Sequence, residues 1–181
     1  MQHSSRRVSV TLPDAATYFE DLVRDHDGPL RRFVAAYAPD VESRADLLQE
    51  IWIAVWRALP TFRGECAART FLYRIAYNRA LTFRSRSRSH VPLDHVPYGE
   101  VADASPDPAA VLDAALARDA LRGAVLALPD TLRGVVALYL DGSTTAEIAE
   151  VLGISENNVH VRLSRARSAL RSHLTAPAST R

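Results

Sequence analysis

The stretch that decides the fold is Thr144-Thr145-Ala146-Glu147-Ile148-Ala149-Glu150-Val151-Leu152-Gly153-Ile154-Ser155-Glu156-Asn157-Asn158-Val159-His160-Val161-Arg162-Leu163. Thr144 to Glu147 is a capping box, a hydroxyl for an orphan amide and a glutamate reaching back. The helix it opens runs to Leu152 and buries Ile148, Ala149 and Leu152. Gly153 permits a left-handed turn. Ser155 caps a last helix that runs to about Leu174. Two capped helices about a turn glycine form a helix-turn-helix unit. Ala149 is small where the helices cross, and Ile154, Val159 and Leu163 pin the second helix to the core. The opposite face presents Asn157, Asn158, His160, Val161 and Ser164, with Arg162, Arg165, Arg167 and Arg171 on its flanks. The first turn of such a helix reaches base edges in the major groove, where Asn pairs bidentately with adenine. Flanking arginines neutralise phosphates and set register. The plainer alternative is that the asparagines serve the N-cap and the arginines form a solvated face. We read the helix as DNA-binding.

Outward from this unit, the second half is helical throughout. Ala109 to Leu128 carries an apolar stripe of Val111, Leu112, Ala115, Leu116, Leu121, Val125 and Leu128. Pro129-Asp130 restarts the chain, Thr131 to Leu140 follows as a short helix, and Asp141-Gly142 ends it. Upstream, Ser85 to Pro108 holds four prolines and four acids with no helical or strand period, which reads as an extended linker.

The first half is a second helical region. Met1 to Pro13 reads as a loose tail. Asp14 is placed to cap a helix towards His26. Gly28-Pro29 interrupts it, and Pro29 suits the first position of a new helix through about Tyr37. Ser43 to Leu59 spaces Leu47, Leu48, Ile51, Val55 and Leu59 at helical intervals. Pro60 to Cys66 is a loop. Ala67 to Phe83 is a helix with Phe71, Leu72, Ile75, Ala76 and Leu81 on one side. The fold class is therefore all-α: two small bundles joined by a flexible linker, the C-terminal one containing the helix-turn-helix.

Two blocks of the first bundle carry chemistry. Asp46, Gln49 and Glu50 lie within one helical turn, beside Trp52 and Trp56, the only tryptophans. An acidic and amide surface next to large aromatics suits an arginine-bearing protein partner. Trp56 reads as core, and Trp52 fits either core or surface. The other block interleaves Phe62, Arg63, Arg69, Phe71, Tyr73, Arg74, Tyr77, Asn78, Arg79, Phe83 and Arg84. Aromatic faces for unstacked bases and guanidinium groups for a backbone are what single-stranded DNA needs. An aromatic core face with a basic solvent face explains the same pattern equally well.

Charge and composition narrow the class. The 181 residues are 48% hydrophobic and 24% charged, with a net charge of +1. That balance conceals segregation: −4 over Asp14 to Ala58, +6 over Pro60 to His90, −4 over Val91 to Val111 and +4 over Ile154 to Arg181. Two basic blocks between acidic ones point to two polyanion-facing surfaces. Every base is arginine. The longest apolar runs are six residues, too short for a membrane span, and no apolar stretch follows Met1 to Arg7 as in a signal peptide. A lone Cys66 excludes an internal disulfide or a cysteine-based zinc cluster. Together these favour a cytoplasmic protein without membrane insertion. No metal site, cofactor or catalytic residue is expected: the six histidines form no metal spacing and no glycine-rich phosphate loop is present.

The motifs Asp46-Leu47-Leu48-Gln49-Glu50, Phe71-Leu72-Tyr73-Arg74-Ile75-Ala76-Tyr77-Asn78, Leu128-Pro129, Glu147-Ile148-Ala149 and Val159 to Arg167 occur in an order and spacing that resembles a bacterial RNA polymerase sigma factor. The type is the short sigma-70 relative called extracytoplasmic function (ECF), and the resemblance covers roughly Tyr18 to Leu174. It implies region 2 over residues 14–84, an acidic linker over 85–108, region 4 over 109–174 and a short tail over 175–181. The helix carrying Asp46, Gln49, Glu50 and Trp52 would bind the coiled coil of the largest subunit of core RNA polymerase. Phe62, Arg63, Arg74, Tyr77, Asn78 and Arg79 would melt and read the −10 element of promoter DNA. Asn157, Asn158, His160, Val161, Arg162, Ser164 and Arg165 would read the −35 element. The linker would thread towards the active-site and RNA-exit channel, its charge mimicking nucleic acid. A separate anti-sigma factor is the expected regulator. The chain departs from the family's usual pattern in three places. It has Phe71 for Trp, Asn157-Asn158 for Gly-Thr, and His160-Val161 for Lys-Ser. The last two fall on the base-reading face. The competing reading is a LuxR-like helix-turn-helix regulator, but the first 110 residues lack the βα alternation its receiver or ligand domain needs.

Overall fold

A computed structural model describes residues 12–89 and 108–175. Residues 1–11, 90–107 and 176–181, most of the expected tails and linker, lie outside them, while residues 85–89, read from the sequence as the start of the linker, continue a helix. The described residues form seven α-helices and one 3₁₀ turn, with no strand. Helices α1 (Leu12–Ala35), α2 (Val41–Ala58) and α3 (Ala68–Ser89) build the first bundle. Helices α4 (Pro108–Ala127), α5 (Asp130–Leu140), α6 (Thr145–Leu152) and α7 (Glu156–Thr175) build the second. No helix among them is long and apolar enough to cross a membrane.

Local chemistry explains most boundaries. Asp40 caps α2 by accepting from the Ser43 backbone N–H at 2.7 Å and from its hydroxyl at 2.8 Å. Leu47, Leu48, Ile51 and Val55 then face the core as their spacing requires. The Leu59–Thr61 turn follows, with Pro60 inside it. Helix α3 runs past Arg84, where the sequence alone ends it. Its continuation is fastened to the neighbouring elements: Arg84 pairs with Asp130 at 3.0 Å, and Arg86 with Glu50 at 3.0 Å.

Helix α1 corrects the sequence reading. It passes through Gly28-Pro29 without a break, and Asp14 lies inside it rather than at its cap. A proline in a helix interior removes one hydrogen bond and crowds the preceding turn, at about 3 kcal/mol. Buried Ala15, Leu22, Leu30 and Phe33 nonetheless keep one helical phase on both sides of Pro29. Burying each leucine or phenylalanine among them stabilises by roughly 1.5–3 kcal/mol, so the shared core face outweighs the defect.

Two further side chains depart from expectation. Trp56, read as core, is 46% exposed: it packs edge-on to Phe19 of α1 at 5.2 Å and lines an open groove between α1 and α2. Leu121, assigned to the buried stripe of α4, is 40% exposed. The Val111 to Leu116 part of that stripe lies outside the described side chains.

The two bundles share one apolar cluster. Tyr37, Leu72 and Ala76 of the first belong to it, as do Leu128, Val135 and Ile148 of the second. Arg133, fully buried on α5, donates to the backbone oxygens of Val125, Leu126 and Leu128 and pairs with Asp130. One guanidinium thus satisfies the orphan carbonyls at the end of α4. Its charge lies over the Tyr37 ring at 5.7 Å.

Candidate nucleic-acid and polymerase interfaces

Helices α6 and α7 form the expected helix-turn-helix. Thr144 accepts from the Glu147 N–H at 3.2 Å, and Glu147 accepts from the Thr144 N–H at 2.7 Å, completing the capping box. The Thr144 hydrogen bond, acting against partial burial, holds the Glu147 carboxyl below its ordinary pKa. Gly153 adopts φ 65°, ψ 37°, the left-handed turn a side chain would strain. Ser155 accepts from the Asn158 N–H at 3.3 Å. Val159 and Leu163 are buried, and Ile154 packs at the edge of the same cluster.

The outward face of α7 is where the sequence places it. Asn157, His160, Ser164 and Arg165 are exposed, and Val161 is 41% exposed. Asn158 differs. Its side-chain oxygen accepts from Arg162 Nε at 3.0 Å, and both residues are half-buried. The pair braces the first turn of the helix.

The basic block of the first bundle is divided in two. Arg63, Asn78 and Arg79 are exposed. Phe62 is not: its ring packs on Tyr18 at 6.2 Å and on Phe71 at 4.5 Å. Arg74 and Tyr77 face the second bundle. Arg74 donates to the Glu150 backbone oxygen at 3.0 Å, with the Glu150 carboxylate 3.7 Å away. Tyr77 lies against Gly134.

Sequence reasoning missed the residue on which this side converges. The Asp141 carboxylate, only 1% exposed, accepts from Arg69 at 2.9 Å, from Arg32 at 3.1 Å and from the Tyr73 hydroxyl. Burial and that hydrogen bond push the Tyr73 hydroxyl pKa well up. Asp141 stood in the sequence only as a helix-ending residue; its partners lie 68 to 109 positions away.

On α2, Asp46 and Gln49 are exposed and Glu50 is partly covered by its pair with Arg86. Gln49 borders a groove between α1 and α2 lined by Phe19, Val23, Asp27, Trp52, Ile53 and Trp56, whereas Asp46 and Glu50 line a separate groove between α2 and α3 with Phe83 and Arg86. Trp52 is half-buried, edge-on to Phe19 at 5.7 Å, with Nε1 3.4 Å from Asp27. Among the described residues no cluster of His, Cys, Asp or Glu could hold a metal ion.

An all-α chain with a helix-turn-helix, a second basic helix and an acidic-aromatic surface defines a DNA-binding transcription factor of two parts. Comparison with known proteins gives the family. Residues 22–90 match the model of sigma-70 region 2, and residues 118–170 match that of sigma-70 region 4. The ECF RNA polymerase sigma factor SigM of Mycobacterium tuberculosis (strain H37Rv) is 30% identical over 155 residues, covering 84% of this chain and 74% of that protein. The ECF RNA polymerase sigma-E factor of Escherichia coli (strain K12) is 30% identical over 162 residues, covering 84% of each. Among solved structures, CnrH in complex with the cytosolic domain of CnrY superposes with a TM-score of 0.65 at 26% identity, covering 92% of this chain and 96% of that one. The sigma factor RpoE of Bartonella quintana, in complex with the anti-sigma factor NepR, superposes with a TM-score of 0.67 at 19% identity, over 88% and 98%. The chain belongs to the ECF group of RNA polymerase sigma-70 factors. It is accordingly a factor that directs RNA polymerase to initiate at promoters, and the region 2 match leaves the LuxR-like reading without support.

Proposed function

We propose that α7 reads the −35 element, that the loop after α2 together with α3 melts and reads the −10 element, and that the exposed edge of α2 holds core RNA polymerase. The observation that carries this is the segregation of exposed chemistry: base-reading and basic groups on α7 and α3, acids and aromatics on α2. On α7, Asn157 and His160 are the base-edge readers, beside the Val161 methyl groups, while Ser164 and Arg165 hold phosphates. Asn158 and Arg162 act as a braced pair that fixes the helix start. On region 2, Arg63, Asn78 and Arg79 are the groups ready for DNA. Phe62 acts by shaping the loop rather than by stacking on a base in this arrangement. Gln49 and Asp27 line the Trp52–Trp56 groove and Asp46 lies on the adjoining groove, so α2 offers the polymerase polar and acidic groups beside an apolar centre, the composition of a stable protein interface.

The factor works by binding, without a catalytic residue of its own, and in the cytoplasm, where the polymerase is. A separate anti-sigma factor is the natural regulator, since the Bartonella relative is held by one. The test is a permanganate footprint beside a gel shift, with core polymerase and promoter DNA. Asn78→Ala should keep closed-complex binding and lose strand opening, because base capture matters only once a base leaves the duplex. Normal opening by that variant would remove Asn78 from the −10 site.

A further inference from the structure

Val161 is the apolar member of the face that the proposed function gives to the −35 element. We propose that it reads the C5-methyl group of a pyrimidine there. The chain would then select thymine at one position and respond to 5-methylcytosine at the same position. The inference rests on reading α7 as the −35 helix.

Nothing inside the protein asks for a valine at this position. Val159 and Leu163, two residues to either side, are buried, and Ala166 with them. Ala169 and Leu170 pack on the edge of the same apolar cluster, and Val161 is not among the residues that do. It is 41% exposed, and among the large apolar side chains of residues 156–167 it alone faces solvent. Helix propensity does not favour it either, since a β-branched residue loses χ1 freedom in a helix and ranks below alanine.

A lone exposed valine is ordinary on a protein surface, and it is the position that gives this one a partner. Asn157 stands four residues before it and Ser164 three after, so they share one stripe of the helix, with neighbouring Cβ atoms about 5–6 Å apart. Base pairs in a duplex rise by about 3.4 Å each. Val161 therefore falls within one or two steps of the base that Asn157 reads. In the major groove the C5-methyl group is the apolar feature of the thymine edge, and apolar side chains contact it. No arginine stands in this stripe, so the fork that suits guanine is missing from it. Arg162, next in sequence, is engaged elsewhere, its Nε donating to the Asn158 side chain at 3.0 Å.

The two methyl groups are also held in place. Valine in a helix has one strongly preferred χ1 rotamer, which fixes their direction. The helix start is fixed by Ser155, which accepts from the Asn158 N–H at 3.3 Å, and by the Asn158–Arg162 pair. A methyl–methyl contact needs that fixity, because dispersion attraction weakens steeply within an ångström.

Uracil differs from thymine by this methyl group alone, and cytosine from 5-methylcytosine likewise, so substituted DNA supplies the test. Holoenzyme made from the full chain and core polymerase first selects its promoter from a duplex pool randomised over the −35 and −10 segments. Each thymine of the selected −35 element, on either strand, is then replaced singly by uracil, and closed-complex affinity is measured by gel shift. One thymine should be sensitive, its uracil form binding about fourfold more weakly, the worth of one methyl group removed from water. At that position cytosine should bind more weakly than 5-methylcytosine by the same factor. Both ratios should fall to one with Val161→Ser, while the melting temperature of this exposed variant stays in place. Comparing ratios between parent and variant cancels any general effect of uracil on the duplex. A −35 element with no sensitive thymine would overturn the methyl contact, as would a thymine that stays sensitive in Val161→Ser. A 5-methylcytosine ratio of one in the parent would overturn the response to cytosine methylation. Asn157→Ala checks the reading of α7 separately. A selected −35 sequence altered by Asn157→Ala, with every uracil ratio at one, would overturn the methyl contact alone. A sequence unchanged by Asn157→Ala and by Val161→Ser would overturn both.

Discussion

Asn157 and Arg165 share one face of α7 but meet different parts of DNA. An asparagine at the first turn reads a base edge, so Asn157→Ala should cost about 1–3 kcal/mol at one base position and relax preference there. Arg165→Ala should weaken all promoters alike and flatten the salt dependence, because a phosphate contact carries no sequence. Affinity selections on randomised −35 DNA, repeated at two salt concentrations, separate the two outcomes. Phe62 is a third case. Its half-buried ring sits between Tyr18 and Phe71, so Phe62→Ala should lower stability by about 1–2 kcal/mol, less than the roughly 3–5 kcal/mol of a fully buried phenylalanine. Exposed Asn78→Ala should leave the unfolding midpoint in place. At this scale the sequence told residue type but not engagement. Nothing local in Asn157-Asn158 says that one side chain is held by Arg162 and the other is not. Nothing local to Asp141 says that three partners lie in the other bundle. Trp56 failed for a related reason: an apolar ring on a helix buries only if its face is fully covered, and here Phe19 covers only part of it.

The elements themselves were legible where a local signal sets them. The Thr144–Glu147 box, the Gly153 turn and the Asp141-Gly142 stop are each written in a few adjacent residues, and each appears in the structure. Glu147 also gives a pH signature. Its folded pKa is depressed, so its contribution is complete above the ordinary glutamate value of about 4.3 and is lost as pH falls through the lower folded value. Urea melts of the parent and Glu147→Gln should differ near neutrality and converge in that acidic window. Pro29 marks the limit of local signals. Alone, Gly28-Pro29 reads as a break, but the apolar phase of Leu22, Leu30 and Phe33 runs straight through it and tertiary burial prevails. Pro29→Ala should therefore stabilise the protein, by up to about 3 kcal/mol. Had Pro29 opened a new helix, the same change would lose a favourable first-turn residue and cost stability.

For the whole molecule, the all-α class and the division into two bundles followed from periodicity, capping and a proline-rich interval without period. Their mutual packing did not, because Arg84–Asp130, Arg69–Asp141 and Arg74–Glu150 join residues 46 to 76 positions apart. Surface chemistry at this scale gives another expectation. Replacing Asp46, Gln49 and Glu50 together by Ala should leave the fold intact, since the Glu50–Arg86 pair is a surface contact of small energetic value. Association with core polymerase should be lost, as read by co-migration on size exclusion. Reconstituted transcription measures promoter-directed initiation by this chain most directly. Core polymerase is mixed with fragmented genomic DNA from the same source, with and without this chain, and transcript 5′ ends are sequenced. A discrete set of new start sites should appear only with the chain and share upstream −35 and −10 sequences, the former altered in usage by Asn157→Ala. Stable association with core polymerase but no new start sites would contradict promoter-directed initiation.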